Sequence, residues 1–378
     1  MTKKVAVGMF IAAASVFLLA GCGQQKKAET SQPAKKTETT TSASAEKSKA
    51  KKLLTDMTLE EKVGQLFFVR VPAENQIQDI KQYHLGGYIL FDRDMEGQTI
   101  QSLKKKVENY QAASKTPLLI ASDEEGGDVS RLSYNHVVKT PFKSPQELYQ
   151  NGGWENIVAD IDAKAKVFHE IGIDAGLAPD ADVATDPESF IYNRTIGLDA
   201  AGTSEYVTKS VEAMQKNKIG STLKHFPGYG NNKDSHVEIV TDTRPLSELQ
   251  QNDFKPFEAG IKAGADSILV SHNIVNAIDP DMPASISKNV HQVIRHDLKF
   301  DGVVMTDDMD MAGLADFISQ DEAGLQALKA GNDLVMSSSY ATQIPYVVKA
   351  IKAGHYSEKQ LDRSVERVLE WKEKLGLL

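Results

Sequence analysis

Gly302-Val303-Val304-Met305-Thr306-Asp307-Asp308 passes from apolar to acidic within one short stretch. A run that is apolar at nearly every position, rather than at alternate ones, is the pattern of a strand buried on both faces. Strands of that kind belong to parallel sheets covered by helices. Seven further candidate strands, most of them nearly continuous apolar runs, lie at 65–70, 87–91, 117–122, 173–178, 220–224, 267–271 and 333–337. Between them, apolar residues recur at helical spacing over 98–113, 155–171, 203–217, 246–263 and 315–330. A last segment, 357–375, carries Leu361, Val365, Val368, Leu369 and Trp371 on one face, and Ser357 with Gln360 predicts a capping box at its start. Eight strand–helix units in succession predict an α/β fold, a single (β/α)8 TIM-type barrel over residues 53–378.

The functional end of such a barrel is the carboxyl end of its strands. The polar residues of this chain gather there. The third stretch runs into Asp123-Glu124-Glu125-Gly126-Gly127, the fourth into Asp180 and Asp182, and the fifth into Lys224-His225. The sixth ends in His272 and the seventh in Asp307-Asp308. His169-Glu170 has no second histidine at metal-binding spacing and reads as a surface pair. No phosphate loop, dinucleotide fingerprint or EF-hand loop is present.

Ahead of the barrel the chain reads as an address. Lys3 and Lys4 precede a mostly apolar run over 5–20, which ends in Leu19-Ala20-Gly21-Cys22. Small residues before a lone cysteine resemble a bacterial lipobox, so residues 1–22 are expected to be a lipoprotein signal peptide with Cys22 the lipidated residue. Residues 23–52 hold eight Lys, three Glu and no aromatic residue. Such a segment cannot bury enough apolar surface to order itself, and a disordered tether is expected. Its positive excess leaves residues 53–378 more acidic than the net charge of −9 of the whole chain. The acidic balance argues against a nucleic-acid partner. A single cysteine excludes an internal disulfide and any Cys-rich metal site. The location expected is the outer face of the cell membrane, as in a Gram-positive bacterium, and no obligate protein partner is inferred.

A carboxylate at a rigid strand end can attack an anomeric carbon or stabilise positive charge there. Asp307 and Asp308 together allow one to cap the following segment and the other to react. Downstream of Lys224-His225, the loop Phe226-Pro227-Gly228-Tyr229-Gly230 leads to Asp234-Ser235-His236. Lys224 and His225 read as donors to substrate oxygens. A carboxylate two residues from an imidazole can fix its tautomer and raise its basicity, which makes an acid/base for neutral pH.

As a set, these motifs resemble glycoside hydrolase family 3, in particular its NagZ-type β-N-acetylglucosaminidases. The resemblance rests on Lys224-His225-Phe226-Pro227-Gly228, Asp234-Ser235-His236 and Thr306-Asp307-Asp308-Met309-Asp310-Met311. It extends to Met57-Thr58-Leu59-Glu60-Glu61-Lys62-Val63-Gly64-Gln65-Leu66, Asp123-Glu124-Glu125-Gly126-Gly127 with Arg131, Ala178-Pro179-Asp180-Ala181-Asp182-Val183, and Asn193-Arg194-Thr195-Ile196-Gly197. Pro283-Ala284-Ser285-Ile286-Ser287 and Ala330-Gly331-Asn332-Asp333 follow in order. The resemblance implies an exo-acting retaining β-N-acetylhexosaminidase that removes terminal β-linked N-acetylglucosamine from glycans such as cell-wall muropeptides. Asp307 would be the nucleophile, and His236, oriented by Asp234, the acid/base. Asp123, Arg131, Arg194, Lys224 and His225 would bind the sugar. No cofactor and no metal are implied.

The chain departs from the family pattern at three places. Tyr229 replaces a second histidine, only Asn231-Asn232-Lys233 precede Asp234, and Asp128 stands where an arginine is usual. A β-glycosidase of other sugar specificity, a phosphorylase and a non-catalytic sugar-binding lipoprotein are the alternatives to the acetamido-sugar hydrolase.

Overall fold

The computed structural model describes residues 48–233 and 239–378. The expected signal peptide, Cys22, nearly all of the tether, and both Asp234 and His236 lie outside the described residues. The tether's expected end at residue 52 moves back. Ser48 caps a helix, Lys49–Asp56, with its side chain accepting from the Lys51 amide. That helix is held because Ala50 is fully buried and Leu53 and Leu54 pack on the core, while Glu373 accepts from the Lys49 and Ala50 amides. Among the described residues no helix is long and apolar enough to cross a membrane.

Helices alternate with parallel strands, in an α/β fold. One sheet orders Val335–Met336, Phe67–Arg70, Gly87–Leu90 and Leu119–Ser122 side by side; a second orders Val303–Thr306, Ser267–Val270 and Thr222–Phe226. All pairs in both sheets are parallel. Within Val303–Thr306, Val303 and Met305 join one apolar cluster and Val304 the other. Alternate residues face opposite ways, so both faces are buried, as the unbroken apolar run implies.

The expected strand at 173–178 is reduced to a single residue. Ala175 forms isolated parallel bridges to Ala121 and to Gly220, and Met305 bridges to Leu334. Leu177 takes a positive φ of 43° and Pro179 has no amide to donate, so the ladder is interrupted there and resumes only as the parallel bridge between Asp180 and Lys224. Two expected helices are also divided. The segment 246–263 is Leu246–Gln251 and Phe254–Ala263, and 315–330 falls within Ala312–Phe317 and Gln320–Ala330. Pro145–Ile171 begins earlier than expected and is kinked at Gly152-Gly153. The capping box at Ser357 does not form: the Ser357 side chain makes no cap hydrogen bond, and its carbonyl takes the Gln360 amide instead. His169 and Glu170 are both exposed, His169 bonding the Asn217 carbonyl and Glu170 accepting from Gln101.

The last helix, Glu358–Leu375, crosses the amino ends of four strands. Ser364 bonds Asp333 at 2.7 Å, Lys372 bonds Gln65 at 2.7 Å, and Lys374 pairs with Asp266. Trp371 lies against Gly220, where an added Cβ would come within 2.9 Å of the indole. The opposite, carboxyl ends are left for the polar residues.

Candidate active site

Because neighbouring strands are parallel, their carboxyl ends share one side of the sheet, and residues distant in sequence converge there. A cavity of about 250 Å³ opens at these ends. Arg70, Asp123, Lys224 and Asp307 reach it from four different strand ends, Arg131 from the start of the short helix Arg131–Tyr134, and Arg194 from a turn.

The sugar-binding candidates form one ionic lattice. Glu125 is buried, and Arg194 grips it in two-pronged fashion, Nε at 3.0 Å and Nη2 at 2.7 Å. Lys224 Nζ adds a third contact at 2.6 Å and also donates to Asp123 at 2.9 Å. Burial alone would raise the Glu125 pKa, but Arg194 and Lys224 outweigh it and hold the carboxyl far below its ordinary range. Asp123 is lowered in the same way, burial being outweighed by Lys224 and Arg131. Burial opposes the charge of Lys224, yet Asp123 and Glu125 raise its pKa overall. Asp92 steers Arg131 at 2.8 Å from the side, and the guanidinium lies over the Phe91 ring. Arg131 Nε is buried with no hydrogen-bond partner, which leaves one donor unspent.

His225 departs from its expected role as a donor. Its Nε2 lies 3.0 Å from Arg194 Nη2, and a guanidinium can only donate. The Nε2 lone pair therefore accepts, and the ring proton sits on Nδ1, donated to Asp182 at 2.7 Å. Burial, reinforced by Arg194, pushes the His225 pKa down to about 3, so the ring is neutral at working pH. Asp182 also accepts from the backbone amides of His225 and Tyr229. It does more than order a loop: it sets the imidazole's tautomer. Tyr229, which replaces the motif histidine, is fully buried, with its ring 4.9 Å from that of His225 and 5.1 Å from Phe190.

Asp180, Asp182 and His225 offer three ligand atoms within 4.8 Å of one another, a spacing that could hold a metal ion. The chemistry of the set does not fit one. Both ring nitrogens of His225 are engaged, and the Arg194 guanidinium already stands 3.9 Å from Asp180. Burial and the neighbouring Asp182 carboxylate push the Asp180 pKa well up, which favours the neutral acid.

Asp307 follows directly on Val303–Thr306. Its amide bonds the Val270 carbonyl at 2.9 Å, and its Oδ1 accepts from the Asp308 amide at 2.8 Å. Asp308 lines the same cavity but is held in an ion pair with Arg70, whose guanidinium stacks 4.4 Å over Phe91. Burial pushes the Asp308 pKa up to about 6, with Arg70 opposing. His272 is not among the residues lining the cavity. It bridges Ser285 and the Asp308 carbonyl and so braces the turn that carries Asp307.

Residues 58–371 match the glycosyl hydrolase family 3 N-terminal domain. The chain belongs to glycosyl hydrolase family 3. A beta-hexosaminidase of Xanthomonas campestris pv. campestris (strain B100) is 33% identical over 259 residues, which cover 67% of this chain and 76% of that protein. The structure of a family 3 beta-N-acetylglucosaminidase from Paenibacillus sp. str. FPU-7 superposes with a TM-score of 0.80 at 30% identity. That match covers 85% of this chain and 63% of the Paenibacillus chain, so this chain spans just under two thirds of it. M tuberculosis LpqI superposes with a TM-score of 0.77 at 27% identity, covering 85% of this chain and 96% of that one.

Five of the expected family 3 site residues, Asp123, Arg131, Arg194, Lys224 and His225, thus line one cavity with Asp307. Asp234 and His236 fall in the segment outside the described residues, but both of its flanks are held. On one side Asn231 Oδ1 accepts from the Thr185 and Asp186 amides; on the other, Arg244 binds Asp242, Asp253 and the Gly228 carbonyl. Glu125, within the Asp123-Glu124-Glu125-Gly126-Gly127 motif, is a site residue that the sequence reading does not identify. The signal was there, since residues two apart on an extended strand point the same way and Asp123 already pointed to the mouth. Arg70 carries no motif and could be found only from the fold.

Proposed function

We propose that this chain is an exo-acting β-N-acetylhexosaminidase that hydrolyses terminal β-linked N-acetylglucosamine with retention of configuration. The observation that carries the reading is that Asp307 shares one cavity of about 250 Å³ with Asp123, Arg131, Arg194, Lys224 and His225. A space that small suits a single terminal ring. The lattice of fixed charges offers directed donors and acceptors to its hydroxyl and acyl oxygens.

Cleavage develops positive charge at the anomeric carbon and negative charge on the leaving oxygen. Asp307 attacks the carbon as the protonated His236 gives its proton to the leaving oxygen, and a glycosyl-enzyme ester forms. Water, giving its proton to His236, then attacks the same carbon and frees Asp307. Asp234 orients the imidazole. The parallel pairings, with the bridges at Ala175 and Met305, support a closed (β/α)8 barrel as the frame. Cell-wall fragments are the proposed natural substrates. Lipidation at Cys22 would hold the enzyme on the outer face of the membrane.

Two variants test the chemistry on p-nitrophenyl β-N-acetylglucosaminide. Asp307→Ala is expected to lower turnover at least 1,000-fold while circular dichroism stays unchanged; normal turnover would remove Asp307 from its role. His236→Ala is expected to slow substrates with poor leaving groups on the order of 100-fold, and activated ones much less, because only the former need protonation. Equal slowing of both would remove His236 as the acid.

A further inference from the structure

A second cavity, of about 400 Å³, lies at the amino ends of the strands. Its lining carries five cations, Lys288, Arg295, Lys329, Arg363 and Arg367, against one carboxylate, Asp301. On a chain with a net charge of −9 this is a local reversal of sign. Two of the cations are fixed. Arg295 and Arg367 share the buried Asp333, and Arg295 also donates to the Phe300 and Gly302 carbonyls. Lys288, Lys329 and Arg363 are exposed, and among the described residues none of the three makes an ion pair. His291, also in the lining, is buried and its pKa is lowered, so it adds no charge. Unpaired like charges around a concavity repel one another, and an oxyanion with several acceptor oxygens relieves that repulsion.

Its place in the fold points to the source of that anion. Asp301 precedes Val303–Thr306, and Asp307 follows it, so this pocket and the candidate nucleophile sit at opposite ends of one strand, about 20 Å apart. Arg363 and Arg367 lie on Glu358–Leu375, within a turn of Glu366, which pairs at 3.2 Å with Lys51 of Lys49–Asp56. The described residues therefore begin along the same helix, where Glu373 accepts from the Lys49 amide, on the amino-end side of the strands that carries the pocket. We propose that this pocket binds the phosphate of an anionic phospholipid headgroup, so that the domain rests on the bilayer with its sugar cavity turned outward. The proposal rests on the reading that Cys22 anchors the chain to a membrane.

The test uses the full chain carrying Cys22→Ala, with and without Lys329→Glu and Arg363→Glu together. Flotation is measured with vesicles of phosphatidylglycerol and phosphatidylcholine, and with phosphatidylcholine alone. The double charge reversal is expected to cut the preference for anionic vesicles at least five-fold and to leave hydrolysis of the chromogenic substrate unchanged. An undiminished preference would overturn the proposal and assign the attraction to the basic tether. If inorganic phosphate protects the protein from thermal unfolding through Arg363 while vesicles are ignored, the site is one for free phosphate and the lipid assignment falls. The anchor is judged separately. Cys22→Ala alone is expected to move the protein from the membrane to the soluble fraction of cells, and an unchanged distribution would sink that reading without altering the vesicle contrast.

Discussion

Glu125 is the residue on which the charged lattice turns. Its carboxylate takes both prongs of Arg194 and the ammonium of Lys224, all in a buried setting. Removing one partner from such a cluster leaves the others charged, desolvated and mutually repelling. Glu125→Gln keeps the shape but not the charge. It is expected to lower the unfolding free energy by about 3 kcal/mol in urea titration and to raise KM for the sugar. Stability and KM both at wild-type values would show that Asp123 alone suffices. The same lattice explains why His225 could be read from its motif but not assigned its tautomer. That assignment needs Arg194 and Asp182, each more than thirty positions away in sequence, and only the fold brings them to the ring.

Among the elements, the short hairpin of Glu124–Gly126 and Val129–Ser130 delivers Arg131 to the cavity. Gly126 has φ 104°, and an added Cβ would lie 2.1 Å from the Lys143 carbonyl oxygen. Gly126→Ala is therefore expected to destabilise the protein by about 2 kcal/mol and to weaken sugar binding, read as a lower melting temperature with a higher KM. An unshifted melting curve would show that the backbone relaxes at no cost. The sequence makes the long elements legible for a plain reason: a strand covered on both faces must be apolar throughout. Val303–Thr306 and Ser267–Val270 lie where their runs predict. The run at 173–178 is less uniformly apolar, with Asp174 and Gly176 inside it, and the backbone turn at Leu177 and the proline that follows leave only Ala175 of it in register. The break at Asn252–Asp253 is marked only by a five-residue step from Leu249 to Phe254 and by Pro256, which the helical spacing on either side outweighs. The small hairpin is too short to show a pattern, and the sequence reading does not find it.

At the scale of the whole molecule, the closing helix carries an unusual load. Lys372 is fully buried, and burial pushes its pKa down to about 7, while burial pushes Asp174 up to about 7. In the unfolded chain Lys372 would titrate near its ordinary value. Between about pH 7 and 10 the unfolded state therefore holds more protons on this residue than the folded one, and its contribution to stability rises with pH. Lys372→Met removes that slope. The wild type is expected to gain on the order of 3 kcal/mol relative to the variant between pH 7 and 10 in paired urea titrations. Parallel curves would mean that the ammonium stays charged in place.

The contact between the first and last described helices has a further consequence. Glu373 accepts from the Lys49 amide, and Lys49 Nζ donates to the carbonyl of Leu378. Residues 48 and 378 are thus close enough for a short peptide to splice them. A gene rearranged to begin at 355 and finish at 354, opened at the exposed turn of Gly354, would encode the same described domain with its ends relocated. The order in which the segments are translated is then separable from the architecture they build.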